Sequence, residues 1–80
     1  HITKLYVHGD IVDDFCRGNQ YLESLQIMHT DHFGRWSFYG NSALKEISFG
    51  EPTKNMALKL WKDTKIMAGY ALLHEKLVDF

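Results

Sequence analysis

Apolar and polar residues alternate from Ile2 to His8, with Leu5 and Val7 on one face and Lys4 and Tyr6 on the other. A period of two is that of a strand. Gly9-Asp10 ends it, and Asp10 is placed to cap a short helix with Ile11, Val12, Phe15 and Cys16 on one side. Gly18-Asn19 stops that helix. From Leu22 to Thr30 both periods occur, and the β-branched content at Ile27 and Thr30 favours a strand. Arg35 to Tyr39 alternates cleanly, with Trp36 and Phe38 on one face and Arg35, Ser37 and Tyr39 on the other. Gly40-Asn41 tolerates positive φ and predicts a hairpin, with Ala43 to Phe49 as the returning strand.

From Pro52 the period changes to 3.6. Met56, Leu60, Met67 and Ala71 form a stripe, with Ala57, Trp61, Ala68 and Leu72 beside it, and the pattern runs to Leu77. One helix over this range would be about 39 Å long, longer than the roughly 30 Å body of an 80-residue domain. It therefore breaks, with Gly69 the expected point, or projects. Its second half, from Ile66 to Leu73, is apolar all round, which calls for a partner. The fold these elements predict is α+β. An antiparallel sheet of three to four strands carries a short helix, and the long C-terminal helix packs on one face. Residues 1–80 form a single domain, and the chain shows no internal repeat.

Composition narrows the function. Nine Lys and Arg against ten Asp and Glu give a net charge of −1, which disfavours a strong polyanion binder. One cysteine excludes an intrachain disulfide and suits a reducing compartment, so the expected location is intracellular, in cytoplasm or nucleus. No apolar run is long enough to span a bilayer. The chain opens on His1 rather than Met, and is expected to be a fragment of something longer or to carry a tag remnant. Aromatics make up 14% of the residues, more than a thin core absorbs, and this points to a binding face.

Three constellations could carry chemistry. His29, Asp31 and His32, with His8 and Asp10, have the residue types of a metal site but lack a second motif with ligand spacing. No metal and no cofactor are expected. Cys16 falls on an apolar face without a histidine, where an inert buried thiol is the expectation. Phe33, Arg35 and Tyr39 fall off the predicted core face, and Tyr70 and Leu73 lie on the apolar second half of the helix. These five are the expected binding residues.

Two resemblances add to this. His8-Gly9-Asp10-Ile11-Val12-Asp13 resembles the aspartate block of calcineurin-like metallophosphatases, which implies a metal-dependent hydrolase fragment. Asp14 stands where that family has arginine. The order helix, strand, strand, strand, helix from Asp10 onward resembles the double-stranded-RNA-binding domain, and Thr53-Lys54-Asn55-Met56-Ala57-Leu58 is similar to the opening of that family's second helix. The resemblance implies RNA contacts at His32 and Lys54, with Asn55 and Leu58 in place of two phosphate-gripping lysines. Loss of those cations leaves nucleic acid possible but not favoured. The expected function is a non-catalytic protein-interaction or regulatory module, such as a small inhibitor or a dimerisation domain that forms a homodimer. The alternatives are weak RNA binding and then hydrolase activity.

Overall fold

The structure is a computed structural model, which describes residues 2–73. Three strands, β1 (Lys4–His8), β2 (Ser24–His29) and β3 (Glu46–Phe49), form one sheet in chain order, and both neighbouring pairs are parallel. The antiparallel sheet expected above is therefore corrected. Parallel neighbours need a crossover of roughly a dozen residues or more, and the segments 9–23 and 30–45 supply it. Gly40-Asn41 makes no hairpin.

The crossovers repeat one another. Asp14, Cys16 and Gly18 have φ of 59°, 52° and 73°, while Trp36, Phe38 and Gly40 have 58°, 58° and 78°. Each pair is 22 residues apart (14 to 36, 16 to 38, 18 to 40), and both triplets lead into Asn and then, three residues on, Leu. Backbone bonds join the two crossovers as they join the strands. Asp14 N donates to Arg35 O (2.8 Å), Phe38 N to Phe15 O (2.7 Å) and Gly18 N to Tyr39 O (2.7 Å). The next coil docks the same way, with Trp36 N donating to Lys65 O at 2.7 Å. The molecule is thus a short solenoid of stacked coils, each contributing one strand. The sequence reading found no repeat, because only Gly-Asn and the inward apolar positions are kept between coils.

Side chains and close approaches fix the stacking. Thr53 Oγ1 accepts from Thr30 N (3.0 Å), and Thr30 Oγ1 donates to Gly9 O (2.9 Å), so one relay crosses all three coils. Asn41 Nδ2 donates to Cys16 O (2.8 Å) and Phe38 O (2.6 Å). Gly34 lies against the backbone of Val12 and Asp13, where a Cβ has no room.

Arg35 to Tyr39 is not a strand. Trp36 and Phe38 are left-handed instead, an unusual state for bulky side chains, and bonds between coils hold them there, with Ser37 buried between them. The expected short helix after Asp10 is a bridge at Ile11 to Phe33 followed by the turn. The long helix is also corrected. It is divided into α1 (Glu51–Lys59), α2 (Thr64–Met67) and a 3₁₀ turn over Ala68–Leu73. The break falls at Asp63, whose carboxylate caps α2 by accepting from Lys65 N (3.1 Å) and Ile66 N (3.3 Å). Gly69 serves a close approach to the backbone of Ser37, Phe38 and Tyr39. The helix predicted beyond residue 73 lies outside the described residues.

The core lies between the sheet and the crossovers. Leu5, Val7, Leu25, Ile27, Ile47 and Phe49 point inward from the strands. Tyr70 is fully buried, with its ring centroid 5.6 Å from Phe33 and 5.8 Å from both Phe38 and Phe49. No helix among the described residues is long and apolar enough to cross a membrane.

Candidate interaction surface

Arg17 and Tyr39 occupy equivalent places in successive coils, each just before Gly-Asn, and stacking brings them together. The Arg17 guanidinium carbon lies 5.5 Å from the ring centroid of Trp36 and 5.5 Å from that of Tyr39. The two rings meet edge to face at 5.2 Å. Asp14 holds the guanidinium from the side, with Oδ1 2.9 Å from Nη1. Tyr39 is 42% exposed, and Trp36 is half-buried. Tyr39 also borders a depression of about 370 Å³ lined by Phe38, Asn41, Leu44, Gly69 and Leu72. Trp, Tyr and Arg beside a concave apolar site is the composition of a binding hot spot.

Of the five residues expected to bind, Tyr39 lies here. Arg35 is exposed nearby in the chain, on the side facing Lys65. Phe33 and Tyr70 are core residues and do not face a partner. Burial pushes the Tyr70 hydroxyl above its ordinary range, against the smaller opposing effect of its hydrogen bond to Ser37. Leu73 ends the 3₁₀ turn, and its side chain lies outside the described residues. His32 is exposed beside the Ile11 to Phe33 bridge, while Lys54 is half-buried on α1. Trp36 and Arg17 were missed: Trp36 was assigned to the core by its alternation with Phe38, and Arg17 to a helix. The Gly-Asn pair 22 residues apart (18 to 40) was the signal that could have joined them.

The outward sheet face is polar, with Lys4, Tyr6 and His8 on β1, Gln26 and His29 on β2, and Glu46 and Ser48 on β3. His8 and His29 stack at 5.4 Å with ring planes 23° apart. Among the described residues no three of His, Cys, Asp and Glu are grouped to hold a metal ion. Cys16 is half-buried, and burial pushes its thiol up, away from the reactive thiolate.

No family model matches the chain, and no curated protein or solved structure is significantly similar to it.

Proposed function

We propose that this chain is a non-catalytic protein-interaction module, built as a short parallel solenoid that presents Arg17, Trp36 and Tyr39 to its partner. The carrying observation is the stacked cluster itself. An arginine 5.5 Å from two aromatic centroids is held ready on crossovers that are bonded to each other. Such an anchor loses little conformational entropy on binding. Coils with one strand each, about 20–22 residues long (Leu5 to Leu25 to Ile47), fall in the class of leucine-rich-repeat-like solenoids, and solenoid surfaces commonly serve as binding scaffolds. The free Cys16 suits a reducing compartment, cytoplasm or nucleus.

The partner is a protein, with a second copy of the chain as the first one to test. Sedimentation equilibrium of the full chain reads self-association, and affinity capture with mass spectrometry identifies other partners. Arg17→Ala and Tyr39→Ala are expected to abolish the interaction, while Gln26→Ala on the open sheet face leaves it intact. The reverse pattern would move the interface to the sheet.

A further inference from the structure

Lys59, Lys62 and Lys65 are three residues apart, and on one continuous helix each would be offset from the next by about 60°, spreading the three over about 120° of its surface. The break before Asp63 changes that. α1 ends at Lys59, α2 starts again at Thr64, and Trp36 N donates to Lys65 O, tying this corner to the second coil. Arg35 is brought alongside. The four cations, with Leu60, Asp63 and Thr64, line a depression of about 610 Å³.

All four side chains are exposed. None of the four forms an ion pair with another described residue, whereas Arg17 pairs with Asp14 and Lys45 with Glu23. Asp63, which lines the depression, accepts from the backbone N–H groups of Lys65 and Ile66, and Asp13 accepts from Arg35 N at 2.9 Å. A chain of net charge −1 therefore gathers four cations around this depression, with Asp63 the single lining carboxylate among the described residues. Such a field draws and holds an anionic partner.

Resting on the reading of this chain as a protein-interaction module, we propose that the depression formed by Arg35, Lys59, Lys62 and Lys65 binds an acidic segment of the partner protein. Its breadth favours several carboxylates over one phosphate. Single-stranded nucleic acid would need open ring faces for stacking. Trp36 and Tyr39 instead meet each other edge to face and carry Arg17.

The test is fluorescence anisotropy of the full chain with labelled octaglutamate, octaglutamine and an oligouridylate of equal charge. Octaglutamate is expected to bind in about 50 mM salt and to weaken about tenfold or more at roughly 300 mM, while octaglutamine does not bind. Lys62→Glu should weaken octaglutamate about tenfold, whereas Lys4→Glu, an equal charge change on the open sheet face, should stay within about twofold. Circular dichroism confirms that both variants fold, and Lys65→Glu replaces Lys62→Glu if the latter does not. Absence of octaglutamate binding overturns the proposal, as does equal weakening by Lys4→Glu. Oligouridylate binding about tenfold tighter than octaglutamate would assign the site to nucleic acid instead. Arg17→Ala and Tyr39→Ala test the aromatic face through the captured partner. If they leave capture intact while octaglutamate still binds, the aromatic reading fails and the acidic-segment site stands.

Discussion

Replacing Gly34 by alanine tests whether the coils stack as described. Gly34 has no left-handed φ, so its role is one of space. A Cβ there would overlap the backbone carbonyl of Val12 and lie 2.5 Å from Asp13 N. These are main-chain atoms, held by the Ile11 to Phe33 bridge and by the bond from Asp14 N to Arg35 O. They cannot rotate aside as a side chain would. Overpacking of this kind costs about 1–3 kcal/mol or more, and the obstacle being backbone puts Gly34→Ala at about 3 kcal/mol. Reduced freedom of the unfolded chain offsets about 0.4–1 kcal/mol. The net loss is about 2 kcal/mol, a large part of the roughly 4–12 kcal/mol expected of a domain this size. Urea unfolding followed by tryptophan fluorescence would show a lower midpoint, and Tm would fall by about 10 °C. Gly18→Ala is the comparison, because a Cβ there meets nothing within 4 Å and only the φ of 73° resists it, for about 1 kcal/mol. A Gly34→Ala variant as stable as the parent would refute the parallel stacking, since an antiparallel hairpin does not press residue 34 onto residue 12.

Other substitutions probe separate joints. Asn41→Ala removes the donor to Cys16 O and Phe38 O and should cost about 2 kcal/mol in urea unfolding, leaving two carbonyls unpaired. Phe38→Ala should cost about 3–5 kcal/mol, and Trp36→Ala clearly less, since Phe38 is in the core and Trp36 is half-buried. Equal losses would mean that Trp36 packs inward. Tyr70 has a folded pKa raised by burial above its unfolded value of about 10. The folded state then holds a proton that the unfolded state releases, so stability should fall as pH rises above about 10. Tyr70 and Ser37 share a buried 2.8 Å hydrogen bond between their hydroxyl groups. Tyr70→Phe should lose about 1 kcal/mol at neutral pH and most of the alkaline sensitivity, read by denaturation at pH 7 and above pH 10.

The sequence alone located the three strands that form, because Leu5 and Val7, Leu25 and Ile27, and Ile47 and Phe49 alternate with polar neighbours and point inward. It also placed helix after Gly50 and put Tyr39 off the core, where it is exposed. Strand direction was not legible, since a period of two is the same in parallel and antiparallel sheets. Gly40-Asn41 tolerates left-handed φ equally in a hairpin and in a crossover. The alternation of Trp36 and Phe38 suggested a strand, but both residues take left-handed backbone states, which no propensity favours and which bonds to the neighbouring coils hold in place. That the long helix breaks or projects was legible from its length, but the place of the break, at Asp63 rather than Gly69, was not: Asp63 can sit within a helix or cap one, and the bond from Trp36 N to Lys65 O ties the restarted segment to the second coil. Both surfaces singled out above depend on these choices. Arg17 meets Trp36 and Tyr39 only when the first two coils lie on one another, and Arg35 lines one depression with three lysines only when the third coil lies on the second, because contact across coils is set by tertiary stacking and local periodicity carries no record of it.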